Sequence, residues 1–214
     1  MLASDPAEPP WLIVGDPDVD RKPVAAQRSR LYGMVRAGRG RRLDHEGLGS
    51  GDAQGRPFAV VDKRNAKLYV FDADGRLAGS TVALLGATPG DYTVPGVSER
   101  VQAGAIRPED RTTPAGRFEA QPGRNLEGEH VVWVDYASAF AIHRVRPGKS
   151  WKARADRLAT ASTADNRVSW GCVVVPVAFY EDVVAPVLGA TRSVVYVLPE
   201  TRPAKDLFGA FEAS

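Results

Sequence analysis

The chain has 214 residues, of which 43% are hydrophobic and 25% charged, with a formal net charge of +2. That is the balance of an ordinary globular protein, long enough to bury a real core. It excludes a nucleic-acid footprint and a strongly cationic membrane surface, and no apolar run approaches the roughly 20 residues that cross a bilayer.

Taken in chain order, residues 1–56 read as an N-terminal extension and linker. Its first residues, Met1 to Pro6, lack the basic and apolar regions of a secretory signal. Pro23 suits the first turn of a helix over 23–36, with Gly38 as its stop. The basic cluster Arg36, Arg39, Arg41 and Arg42 either touches an anionic polymer or forms a solvated face. A Gly-rich stretch at 47–55 ends the extension.

From residue 57 the pattern changes to short β-prone runs. Phe58 to Asp62 and Lys67 to Phe71 are expected to form a hairpin across 63–66, and 80–86 a third strand. Residues 87–109, interrupted by Pro89, Pro95 and Pro108, read as a surface loop. Strands are expected over 116–120, 130–135 and 139–145, then 173–175 and 193–198, with short helices over 150–159 and 178–188. The sum is a mostly β fold, a sandwich or barrel with a few short helices, over 57–200. Residues 201–214 read as a peripheral tail.

Chemistry concentrates near Cys172, the chain's one cysteine. Ser169-Trp170-Gly171-Cys172 runs straight into Val173-Val174-Val175, so a tight turn is expected to hold the sulfur at the mouth of a buried strand. Gly171 lets backbone and substrate approach closely. Taken alone, the thiol reads first as an inert core residue. Phe140-Ala141-Ile142-His143 ends a second apolar strand on a histidine, and Thr113-Pro114-Ala115-Gly116-Arg117-Phe118 reads as a turn entering a strand. The other histidines, His45 and His130, have no spacing that suits a metal site, and no metal or organic cofactor is expected.

In this order the hairpin, Thr113 to Phe118, Ile142-His143 and Ser169 to Cys172 resemble the catalytic domain of the L,D-transpeptidases, the YkuD-like family of bacterial cell-wall enzymes. The resemblance spans residues 57 to 200. It implies a thiol that cleaves the bond between the third residue and the terminal D-alanine of a peptidoglycan tetrapeptide stem and passes the acyl group to an amine. Cys172 would be the nucleophile and His143 its base. Gly171 would shape the turn, and Ser169 would either serve the site or brace the turn. It also implies an exported protein of the periplasm or cell envelope, its signal already removed. Two alternatives stay open: the same chemistry released onto water or used as a toxin, and a non-catalytic wall-binding module.

Three departures accompany the resemblance. Arg144 follows the histidine where glycine is common. Val174 stands where the family often carries a carboxylate-binding arginine, a role open to Arg144, Arg146 or Arg167. The interval from His143 to Cys172 is long and contains the basic segment 150–159. That segment is expected either to border the substrate cleft through Trp151 or Arg154 or to be a plain surface insertion. Trp170, inside the cysteine turn, is a further candidate substrate contact.

Overall fold

The computed structural model describes residues 53–160, 162–203 and 207. The expected helix over 23–36, the basic cluster after it, His45 and most of the linker lie outside these residues.

Ten strands carry the fold: β1 Phe58–Asp62, β2 Lys67–Phe71, β3 Leu77–Val82, β4 Leu85–Gly86, β5 Gly116–Arg124, β6 His130–Asp135, β7 Phe140–Arg144, β8 Arg167–Ser169, β9 Val173–Val175 and β10 Ser193–Leu198. Eight of them make one sheet in the order β3-β2-β1-β10-β5-β6-β7-β9, and β4 pairs with β8. The last strand therefore lies between β1, to which it is parallel, and β5, to which it is antiparallel. Just past β3, Leu84 bridges Val174 of β9 through two backbone hydrogen bonds of 2.8 and 2.9 Å. The two edges of the sheet thus meet, and the sheet curls into a nearly closed, mostly β body.

Side chains on alternate positions build separate cores, as strand geometry requires. Ala59, Val61, Leu68, Val132, Phe140, Ile142, Val173 and Val195 share the inner one. Tyr180, Val184 and Leu188 join it from a helical segment over 177–187, here α3, whose middle, Tyr180–Val184, is wound as a π-helix. On the opposite face of β6, β7 and β9, Val131, Trp133, Ala141, Val145, Cys172 and Val174 pack with Leu84 and with two covering helices. These are α1, Val97–Gln102, through Val97 and Val101, and α2, Trp151–Ala159, through Leu158.

Helix α1 replaces part of the irregular loop expected over 87–109. Gly96 precedes it with φ 78°, a left-handed conformation that glycine adopts without strain. Burial of Val97 and Val101, four residues apart and so on one helix face, holds this short helix in place. At the start of the C-terminal tail, Thr201 and Arg202 reach back to Asp91.

Beneath the covering segment lies a buried ionic knot. The Lys63 ammonium donates its three N–H bonds to the Gly90 carbonyl, to Asp91 Oδ1 at 2.8 Å and to the Thr113 carbonyl at 2.9 Å, with Glu200 Oε1 at 3.6 Å. Asp91 also accepts from the Glu200 N–H at 2.8 Å, the Thr201 N–H at 3.0 Å and the Thr201 hydroxyl at 2.5 Å. One lysine therefore fastens both ends of the segment that carries α1.

Candidate active site

Strands β7 and β9 run side by side and parallel, with Ile142 opposite Val173 and His143 opposite Val174. Ile142 and Val173 face the inner core, whereas Ala141, Val145, Cys172 and Val174 share the other face. Alternation along β7 then puts His143 on the Cys172 face, on the adjacent strand and one diagonal step away.

The imidazole is 3% exposed. Its Nδ1 lies 2.8 Å from the Arg144 carbonyl. A carbonyl can only accept, so Nδ1 carries the proton and Nε2 keeps a lone pair. That Nε2 is buried and has no hydrogen-bond partner. Burial first, then the Arg146 guanidinium, holds the imidazole well below the ordinary histidine value, and Arg154 and Arg144 push the same way. His143 is thus a neutral imidazole held in one orientation, with Nε2 unprotonated.

The cysteine turn is stitched by hydroxyls. Ser169 Oγ donates to the Cys172 carbonyl at 2.6 Å and accepts from the Gly171 N–H at 3.1 Å. Its hydrogen bonds are local to the turn, so it braces the turn. Thr113 Oγ1 donates to the Gly171 carbonyl at 2.8 Å and accepts from the Gly86 N–H at 2.8 Å, tying β4 to the turn. Gly171 has φ 127°, and a Cβ there would stand 3.0 Å from the Thr112 carbonyl oxygen. Both the conformation and the close approach call for glycine. Replacing Thr113 with valine strands a buried N–H and a buried C=O together. We expect a loss of about 2–4 kcal/mol, read as a lower urea midpoint at unchanged slope.

The sulfur does not stand in an open groove, as its position at a strand mouth suggests it should. Cys172 is 1% exposed, and its Sγ lies 3.5 Å from the Ala139 carbonyl oxygen, to which the thiol donates. Cys172 lies in an apolar cluster that includes Ala139, Leu84, Val97 and Val101 of α1 and Leu158 of α2. Val174 fits this arrangement, being fully buried there beside Leu84. A guanidinium at that position would be forced into hydrocarbon.

The basic residues divide into groups. Arg144 and Arg146 both pair with Glu129, at 3.3 and 3.0 Å. Arg167 is committed to Glu200 and, at 2.9 Å, to the Lys63 carbonyl. Helix α2 lies against the site's face, but Arg154 and Leu158 are the residues it buries, while Trp151 is 46% exposed. Ser150 precedes α2 without a side-chain capping bond. Trp170 is half-buried, with the Arg111 guanidinium 5.9 Å from its ring centroid. His130 is engaged by the Tyr180 hydroxyl at 2.9 Å and the Gly189 carbonyl at 3.2 Å. No cluster of three metal-ligating side chains occurs among the described residues.

Sequence reasoning missed Arg111, Lys63 and Asp91. The last two carry no local signal, since a charge in a turn and a charge in a loop look solvated until the fold buries them together.

The sequence matches no protein-family profile and no curated protein. Among solved structures, the chain is similar to the helical cell shape determining protein Pgp2 from Campylobacter jejuni, at 13% identity and TM-score 0.43 over 73% of this chain and 53% of that one. It is also similar to the catalytic domain of an E. faecium L,D-transpeptidase, at 19% identity and TM-score 0.32 over 67% of this chain and 98% of that one. A third is a fused Zn-dependent amidase/peptidase/peptidoglycan-binding domain-containing protein from Clostridium acetobutylicum, at 13% identity and TM-score 0.36 over 66% of this chain and 51% of that one. The chain spans about half the length of Pgp2. No helix of the described residues is long and apolar enough to cross a membrane.

Proposed function

We propose that this chain is a cysteine-dependent peptidoglycan L,D-transpeptidase acting in the cell envelope. The observation that carries the reading is the bare Nε2 lone pair of His143, buried on the face that bears Cys172 while Nδ1 is held by the Arg144 carbonyl. The ordered Thr113 to Phe118, Ile142-His143 and Ser169 to Cys172 motifs support it.

In this reading Nε2 takes the thiol proton and the thiolate attacks the carbonyl of the stem's third residue. The tetrahedral oxyanion is held by backbone N–H groups of the turn, that of Cys172 among them. The C–N bond breaks, and the imidazolium returns its proton to the departing D-alanine amine. An acceptor amine then attacks the thioester, gives its proton to His143 and frees the thiol. Water in place of the amine gives a carboxypeptidase. Each route requires the site to open, because Cys172 is 1% exposed.

That burial favours a second reading, a non-catalytic module that binds peptidoglycan and keeps the thiol as a core residue. Incubation with tetrapeptide-containing muropeptides, read by mass spectrometry, separates the two. Cross-linked dimers or shortened tripeptides support thiol chemistry, provided the Cys172→Ala variant makes neither. Unaltered muropeptides, together with no carbapenem adduct on Cys172, support the module.

A further inference from the structure

Besides its burial, the His143 imidazole feels three guanidiniums: Arg146 just past β7, Arg154 on α2 and Arg144 at the end of β7. Two of the three end on one carboxylate. Arg144 Nη2 meets Glu129 Oε1 at 3.3 Å, and Arg146 Nε meets Glu129 Oε2 at 3.0 Å.

The turn that joins β5 to β6 aims this carboxylate. Asn125, 4% exposed, accepts at Oδ1 from the N–H groups of Glu127 and Glu129, both at 2.9 Å. Its Nδ2 donates to Glu129 Oε2 at 3.0 Å, and its backbone N–H donates to the Glu129 carbonyl at 3.0 Å. One side chain thus shapes the turn and also holds the acid against the end of β7. With donors from Asn125, Arg144 and Arg146 on its two oxygens, the Glu129 carboxylate is fixed in place, its side chain 20% exposed.

Arg144 joins this clamp to the imidazole, because its carbonyl takes the His143 Nδ1 proton while its guanidinium is tied through Glu129 to Arg146. A carboxylate set between two cations offsets their repulsion of a further positive charge nearby.

We propose that Glu129 is a positioning residue that acts on His143 through Arg144 and Arg146, clamping both guanidiniums and offsetting their charge on the ring. The assignment deepens the proposed function and rests on it for calling His143 a base. Titration of the ring is measurable without any acyl chemistry.

The test is 15N NMR of the His143 ring through acid pH, its signals assigned by their loss in His143→Gln. Arg146→Gln serves as host, since removing that cation brings protonation of the ring to higher pH. Adding Glu129→Gln leaves Arg144 without its carboxylate, so the midpoint should fall by about half to one pH unit. Glutamine keeps the shape and an acceptor for Asn125, so the turn is retained. Glu129→Asp in the same host keeps the charge and should hold the midpoint near the host's value, a rescue that a purely structural role would not give.

A midpoint that is unchanged or raised by Glu129→Gln overturns the assignment. Muropeptides left unaltered by the native protein while the midpoint falls as expected would sink the proposed function and leave the role of Glu129 standing. Transfer activity in the native protein, with a midpoint indifferent to Glu129→Gln, would do the reverse.

Discussion

Replacing His143 with glutamine is expected to lower kcat for acyl transfer by about a hundred- to ten-thousandfold, the usual worth of a positioned general base. Glutamine offers no basic nitrogen, so the thiol must lose its proton to water. A pH profile distinguishes this from damage to the fold. In the proposed mechanism His143 works in its neutral form, and its pKa is held well below the ordinary 6.5 by burial and then Arg146. The neutral fraction is therefore already high at pH 6.5, and kcat/KM should hold its plateau there and decline only at lower pH. Arg146→Gln removes the largest charge acting against protonation, so its acid limb should move toward higher pH. If the limb stays put in that variant, or His143→Gln retains full turnover, the base has been misassigned.

Lys63→Met should cost about 3–5 kcal/mol, the usual penalty for leaving one partner of a buried ion pair uncompensated. For a domain of this size that corresponds to a drop in Tm on the order of 10 °C. The side chains of Lys63 and Asp91 are fully buried, and the lysine's three N–H groups are all used. Burial would raise the Asp91 carboxyl, but hydrogen bonds from Lys63, Thr201 and the Glu200 backbone outweigh it and hold the group well below the usual carboxylate range. Its stabilisation is thus complete above about pH 4, the unfolded carboxylate value, and is lost as pH falls from there toward the folded value. Because the same ammonium binds Gly90, Asp91 and Thr113, Lys63→Met should also speed iodoacetamide labelling of Cys172 under native conditions. A lower Tm with unchanged labelling would assign Lys63 to stability alone. The double variant Lys63→Met, Asp91→Asn should regain part of the loss.

The strands were legible where period-two alternation or a dense apolar run dominates. The hairpin at 58–71, β6, β7, β9 and β10 follow the sequence to within a residue. The misses have tertiary causes. Strand β5 continues through Pro122 to Arg124 because it changes partners. Residues 116–120 pair with β10 and 121–124 with β6, so one side of the strand is vacant where the proline's missing N–H falls. Helix α1 is too short and too hemmed by proline and glycine to announce itself, and exists by virtue of the face it covers. The three residues of β8 pair with β4 alone. For the site, Ile142-His143 and Ser169 to Cys172 were readable as motifs, whereas the parallel pairing of β7 with β9 that sets their strands side by side was not. Burial of the sulfur was not, since the apolar cluster it joins draws in Val97 and Val101, more than seventy positions away in the chain.

The insertion of β10 between β1 and β5 bears on how the protein is made. Until synthesis has passed residue 198, β1 and β5 lack the strand that lies between them, and β3-β2-β1 and β5-β6-β7-β9 are joined only through the Leu84–Val174 bridge. The complete sheet is therefore expected to form only once β10 is available to pair, since the decisive pairings join the two ends of the domain.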